Sequence, residues 1–267
     1  MKSQSLIELR RRYVDEGRPV PRDLEAALKE DPRPGAQAIV RAIERRRHEN
    51  RAEARRLTTM TKFERALWDA GVSHVAGVDE AGMSPLAGPV SAGAVILPIG
   101  CRLPYVDDSK KLDAKTRDEL AIEIKKVAIA WHVAFVEHDE IDRINIHWAG
   151  ILAMKRAVLG LSTTPQHMLI DARKIKDLDI PQQGIIKGDA KSLSIAAASI
   201  LAKTTRDAHM AVMDEKYPGY GLKKHKGYPV EAHVEALRRL GPSPIHRRTF
   251  GPVRDVIEGT QTSLFPR

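Results

Sequence analysis

Three short apolar runs in this sequence end in acids. "HVAGVD" delivers Asp79 with Glu80 directly after it, "HMLIDA" ends at Asp171, and "GIIKGDAK" reads as a strand ending near Asp189. Four carboxylates brought to one place repel strongly unless cations lie between them. Hard oxygen ligands suit Mg2+ or Mn2+. Two such divalent ions about 4 Å apart form the usual clamp for cleaving a phosphodiester, one activating water and the other stabilising the leaving oxygen. The ends of sheet strands are where loops can vary without damage to the core, so they are where such a site is expected.

The elements that must position these acids can be read from hydrophobic period. "HVAGVD" and "VSAGAVILP" are β-branched runs joined by a Gly/Pro turn, and "AIAWHVAFVEH" is a third strand. Their connections are short enough for an antiparallel meander. "AKTRDELAIEIKKVA", "EIDRINIHWAGILAMKRAVLGL", "SLSIAAASILAKTTRDAHMAVMDEKY" and "PVEAHVEALRRLG" have helical period. The third of these is rich in small residues, which let a helix lie close to a sheet. Strands first, then alternating helix and strand, predict an α/β fold, a mixed sheet flanked by helices with a helical C-terminal part. Residues 1–70 read as polar and helical, with short helices in "SLIELRRRYVDEG" and "PRDLEAALKED", a break at Pro32–Gly35, and one long helix or two over Ala36–Ala70. The apolar stripe of that last stretch is too narrow for a core of its own. The expected division is a basic helical extension, 1–70, and a catalytic domain, 71–267.

Composition narrows the class of partner. The 267 residues are 42% hydrophobic and carry a formal charge of +9, which favours a polyanion such as nucleic acid. Residues 1–70 hold 17 Lys and Arg against 12 Asp and Glu, and Arg41–Arg56 alone holds 7 Arg against 3 Glu. No apolar run approaches the length of a membrane span, and "MKSQSLIELRRRY" lacks the apolar core of a signal peptide. A single cysteine, Cys101, excludes an internal disulfide and a zinc-thiolate cluster, so a cytoplasmic, reducing setting is expected.

The long motifs go further. "AGVDEAG.SPLAGPV" resembles the first motif of the bacterial ribonuclease HII family, the type 2 ribonucleases H. "DDSKKL" (Asp107–Leu112), "LID" (Leu169–Asp171), "KGDAKSLSIAAASILAKTTRD" (Lys187–Asp207), "YPGYGLKKHKGY" (Tyr217–Tyr228) and "GPSPIHRRTFGPV" (Gly241–Val253) follow in the family's order. The resemblance covers about residues 73–255, and "DPRPGAQAIV" with "MTKFERALWDAG" is similar to the N-terminal extension of longer members. It implies an RNase H-like fold and metal-dependent cleavage of RNA within RNA–DNA duplexes, including single ribonucleotides embedded in DNA. Cleavage would fall 5′ of the ribonucleotide and leave 3′-hydroxyl and 5′-phosphate ends. By motif, the metal-binding and catalytic acids are Asp79, Glu80, Asp171 and Asp189, working with two Mn2+ or Mg2+ ions in a monomer.

The same resemblance implies substrate contacts. The family reads Gly-Arg-Gly where this sequence has Gly82-Met83-Ser84, a segment whose main chain meets the 2′-hydroxyl. Ser84 adds a β-carbon where close approach is expected, so a nuclease with relaxed junction specificity is the alternative reading. Ser109, Lys110, Lys111 and Lys187 resemble phosphate contacts, and Tyr228 matches the tyrosine that packs on the sugar past the ribonucleotide. His225, Lys226, His246, Arg247 and Arg248 either touch the backbone or pin the C-terminal segment. Asp207 lies one helical turn after Lys203 and is read as its ion-pair partner.

Overall fold

The computed structural model describes residues 5–260, in two compact units that divide after Thr58. In the first unit, α1 (Leu6–Arg10) continues into a π-helical turn (Arg11–Asp15) and is followed by α2 (Arg22–Glu30) and most of α3 (Pro34–Met60). Their apolar faces share one small core of Leu9, Tyr13, Leu28, Ala36, Ile39, Val40 and Ile43. The stripe on α3 is narrow by itself; the two short helices before it complete it. Arg47 holds Glu25 through two hydrogen bonds of 2.7 and 2.6 Å, and Arg46 donates to the Tyr13 carbonyl at 2.9 Å. Part of the arginine-rich segment is therefore spent inside this unit.

The second unit opens with α4 (Lys62–Asp69) and a five-stranded mixed sheet of β1 (Val75–Ala81), β2 (Val90–Ile96), β3 (Ala130–Val136), β4 (His167–Asp171) and β5 (Gln182–Ile185). The spatial order is β3-β2-β1-β4-β5. β1, β2 and β3 are the expected antiparallel meander; β4 runs parallel to β1, and β5 parallel to β4. Helices α5 (Ala114–Val127), α6 (His138–Leu159), α7 (Leu193–Lys216), α8 (Leu222–His225), α9 (Glu231–Leu240) and α10 (Gly251–Glu258) complete it. Among the described residues no helix is long and apolar enough to cross a membrane.

Alternation along the strands assigns the two faces of the sheet. Ala76, Val78, Val90, Ala92, Ala94 and Ile96 pack with Ala149, Ala153, Met154, Ala157 and Val158 of α6. On the other face α7 comes close enough to touch backbone. A β-carbon built on Gly77 would lie 2.0 Å from the Ser194 carbonyl carbon, and one on Gly93 would lie 2.4 Å from the Ala198 carbonyl oxygen. Glycine in the sheet and Ser-Ile-Ala-Ala-Ala-Ser in the helix are thus two halves of one fit.

The start of α7 is anchored by α4. Glu64 is buried, and its Oε1 accepts from the Ser192 hydroxyl at 2.5 Å, the Ser194 hydroxyl at 2.7 Å and the Ser194 N–H at 2.9 Å. A carboxylate there answers the unpaired N–H groups and the positive end of the helix dipole. Gly77→Ala should cost about 3 kcal/mol or more, because the added methyl meets main chain that cannot turn away. The urea midpoint measures it, and an unchanged midpoint would show that α7 has room to move.

Candidate active site

β1 and β4 are parallel neighbours, with Val78 in register with Ile170, so the next residues, Asp79 and Asp171, lie side by side; β4 ends at Asp171, while β1 stays paired with β2 through Ala81, so Asp79 and Glu80 lie within the strand. Alternation then separates the two adjacent acids. Asp79 lies on the α7 face, where it is 5% exposed and Ser199 stands beside it and favours its charged form. Glu80 turns to the α6 face, where Arg173 reaches its Oε1 at 3.3 Å. Arg173 itself lies against Gly150 of α6 and donates to the His147 carbonyl at 3.4 Å. Asp189 differs from its sequence reading. β5 stops at Ile185, and the acid sits on a 3-10 turn, Gly188–Ala190, entered through Lys187 in a left-handed conformation (φ 57°). Gly188 and the residues after it are needed to bring the chain round to Ser192, the N-cap of α7, so the apolar run cannot continue as strand. The same turn supplies the Gly188 N–H that donates to Asp171 Oδ1 at 2.6 Å.

The acids feel one another. Burial, then the charge of Glu80, raises the pKa of Asp79 well above the usual carboxylate range, and Asp171 adds to this. Glu80 is raised by burial, with Arg173 opposing and Asp171 reinforcing. Asp189 is raised by burial and by the charges of Asp108 and Asp171, with Lys110 in opposition. Lys110 lies 3.8 Å from Asp189. Burial draws its pKa down, and Asp189, Asp108, Asp79 and Asp171 together outweigh that and raise it.

As the side chains lie, no group of three or more His, Cys, Asp or Glu among the described residues closes to ion-holding distance. Each acid instead has a donor beside it: Ser199 for Asp79, Arg173 for Glu80, Gly188 for Asp171 and Lys110 for Asp189. Glu80 Oε2 is nevertheless buried with no partner at all. An orphaned carboxylate oxygen, a set of purely oxygen donors and mutually raised acids fit hard divalent cations.

A model of the ribonuclease HII family matches residues 76–253, and a model of the ribonuclease HII N-terminal domain matches residues 18–68. The chain belongs to the ribonuclease HII family. It is a ribonuclease H, a hydrolytic endonuclease. The ribonuclease HII of Myxococcus xanthus is 55% identical over 271 residues, covering 98% of this chain and 92% of its own length. That of an Anaeromyxobacter strain is 56% identical over 253 residues, covering 95% of this chain and 80% of its own length. The crystal structure of ribonuclease H2 from Pyrococcus horikoshii superposes with a TM-score of 0.58 at 28% identity, covering 69% of this chain and 97% of that one. The mixed sheet flanked by helices is therefore an RNase H-like fold.

The remaining motif residues fall into two groups. Gly82, Met83 and Ser84 follow β1 directly; Ser84 is exposed, while Met83 is half-buried and packs inward on the α6 core beside Gly150. Tyr228 is half-buried, with Lys203 Nζ 5.4 Å from its ring centre. Lys203 also holds Asp207 at 2.7 Å, the ion pair expected from their spacing. Lys111 and Lys187 are exposed, and Lys111 pairs with Asp107 at 3.0 Å. Ser109 is a correction to the sequence reading. It is buried and meets the Ser199 hydroxyl at 3.0 Å, so it supports Asp79 from behind instead of facing phosphate. His246 and Arg247 are buried in the C-terminal segment, which makes them pins, whereas Arg248 is exposed.

Sequence reasoning did not find Arg173 or Ser199. The one local signal near Arg173 is the backbone of Ala172. Ala172 takes a left-handed backbone (φ 50°), and that turn aims Arg173 back at Glu80.

The raised acids set a pH dependence. A carboxyl that holds its proton more tightly folded than unfolded favours the fold while protonated. That contribution is full below the ordinary carboxylate pKa and is lost as pH rises through the folded value. Asp79→Asn removes one such group. In a chelating buffer the variant should melt several degrees above the natural protein at pH 8, with the gap narrowing at pH 5. A gap that is the same at both values would mean that Asp79 carries no buried charge.

Proposed function

We propose that the chain cleaves RNA within RNA–DNA duplexes, including single ribonucleotides embedded in DNA, 5′ of the ribonucleotide, leaving 3′-hydroxyl and 5′-phosphate ends. The observation that carries this reading is that Asp79 and Glu80 on β1, Asp171 at the end of β4 and Asp189 on the turn before α7 lie close enough for their charges to act on one another. These four side chains would hold divalent ions, Mg2+ or Mn2+. Bound there, two such ions supply a hydroxide nucleophile at neutral pH and stabilise the departing 3′ oxygen.

The chain's own groups do the rest. Ser199, backed by Ser109, keeps Asp79 turned toward the α7 face. The Gly188 N–H holds the Asp171 carboxylate in place, so the turn that carries Asp189 and the strand that carries Asp171 move together. Lys110 stands on the exposed side of Asp189, where a phosphate strand would arrive, and its charge, with that of the exposed Lys111 next in sequence, favours it. Main-chain groups of Gly82–Ser84 meet the ribose, and the half-buried Tyr228 offers a face to the next sugar. The inward packing of Met83 supports main-chain reading, because the side chain that replaces the family's arginine is directed into the core and leaves the loop's outer edge open.

The discriminating experiment compares a DNA duplex carrying one ribonucleotide, an all-DNA duplex and a long RNA–DNA hybrid, each with Mn2+ or Mg2+. Nicking of the first and third only is expected. Asp79→Asn and Asp171→Asn should each lower cleavage by at least about a hundredfold while duplex binding stays within about twofold, since binding rests on basic residues and phosphates. Substantial nicking by either variant would remove the two-ion assignment. Ser84→Gly should raise cleavage at the single ribonucleotide relative to the hybrid, because the hybrid offers many registers and depends less on one close approach. A flat ratio would mean that the hydroxymethyl group does not obstruct the ribose.

A further inference from the structure

Two arginines in this fold are fully buried and, among the described residues, neither has a carboxylate partner: Arg206 on α7 and Arg247 in the C-terminal segment. Burial lowers the pKa of both, and Arg247, with Arg206 nearby, falls to about 9. Two buried like charges with no carboxylate in ion-pair contact, opposed only at longer range by Asp207 and Asp142, are a standing cost in stability. What they hold is six main-chain carbonyls. Arg247 donates to Gly82 at 2.7 Å, Met83 at 3.1 Å and Gly88 at 2.9 Å. Arg206 donates to Pro89 at 2.8 Å, Ala87 at 3.1 Å and Lys226 at 2.9 Å.

These carbonyls belong to two stretches far apart in sequence. One is the loop 82–89 after the catalytic strand β1; the other is the turn that leads into Tyr228. The stretches also touch directly, through the Leu86 N–H on the Gly227 carbonyl at 2.8 Å, and the C-terminal segment reaches the same loop residue through the Arg247 N–H on the Leu86 carbonyl at 2.8 Å. The backbone is bent to fit the guanidinia. Gly82 (φ 89°) and Gly227 (φ 84°) are left-handed, and a β-carbon on Gly82 would lie 2.2 Å from Arg206 Nε. With the carbonyls of Gly82 and Met83 drawn inward, the Met83 and Ser84 N–H groups are left without an acceptor in the protein among the described residues.

We infer that Arg206 and Arg247 are positioning residues for substrate discrimination: they turn the carbonyls of the 82–89 loop inward so that its N–H groups face the ribose, and Arg206 locks that loop to the Tyr228 turn so that both meet the substrate in one fixed spacing. The inference rests on the proposed reading of Gly82–Ser84 and Tyr228 as substrate contacts. It adds that the two are one rigid reader, hung on α7 and the C-terminal segment, separate from the support of the four acids.

The test uses the full chain and the variants Arg206→Lys and Arg247→Lys. A lysine keeps the charge but cannot span three carbonyls. The measurements are kcat and KM on a duplex with one ribonucleotide and on a long RNA–DNA hybrid, Mn2+ affinity without nucleic acid, and melting temperature. The ratio of kcat/KM at the single ribonucleotide to that on the hybrid should fall about tenfold or more, as expected of misplaced binding groups. Mn2+ affinity should stay within about twofold, because none of the four acids touches either arginine. A purely structural role would lower both activities together in proportion to the folded fraction and leave the ratio unchanged; that result overturns the inference. If the natural protein itself fails to nick the single-ribonucleotide duplex, the underlying functional reading fails instead. Hydrogen exchange on the natural protein covers the case in which neither lysine variant folds. On binding the ribonucleotide-containing duplex, amides of 82–84 and of 226–228 should become protected together, and protection of one stretch alone overturns the coupling.

Discussion

The contact on which this molecule depends is the near-touch of α7 and the sheet at Gly77–Ser194 and Gly93–Ala198. It is a contact of main chain on main chain, so its distance is set by backbone and not by adjustable side chains. Once it is made, every residue of α7 has a fixed height above the sheet. Ser199 then reaches Asp79, Lys203 lies by Tyr228, and Arg206 passes under the loop that leaves β1. Regular helical spacing converts one steric fit into the placement of three separate functional groups.

Electrostatics works against this frame. Asp79, Glu80 and Asp189 are all pushed toward their neutral forms by burial and by one another. The protein contains that repulsion in two ways. It sends Asp79 and Glu80 to opposite faces of the sheet, and it sets a cationic or hydrogen-bonding neighbour beside each acid. The neighbours differ in kind: Gly188 N–H and Ser199 are parts of the frame, while Arg173 and Lys110 are long side chains with rotamers to spare.

Much of this was legible in the sequence, for a stated reason. Period-2 apolar runs and small-residue helices are dictated by burial, so the meander, α7 and the position of Asp79 could be read directly. Asp171 was legible because a buried strand must end where polarity begins. Asp189 could be singled out through its motif, but its turn was misread as strand, because "GII" is apolar enough to pass for one while the turn geometry resides in Lys187 and Gly188. Arg173, Ser199, Arg206 and Arg247 could not be read as a group. Their roles depend on carbonyls and carboxylates distant along the chain, and no periodic pattern records such pairings. The buried role of Ser109 was hidden likewise, since a serine beside two lysines looks like surface until the helix that covers it is known.

Glu64 has a bearing on how the chain can be divided. The N-terminal domain model of the family extends to residue 68, yet this carboxylate belongs to the second compact unit and caps α7 through Ser192 and Ser194. The segment shared with the family's N-terminal extension is therefore no detachable cassette. A gene fusion, a natural truncation or an engineered cut at residue 70 would carry away an acceptor that buried donors of the second unit use. The division between the two compact units falls earlier, after Thr58 in the last turn of α3, so α4 and its Glu64 stay with the helix they cap.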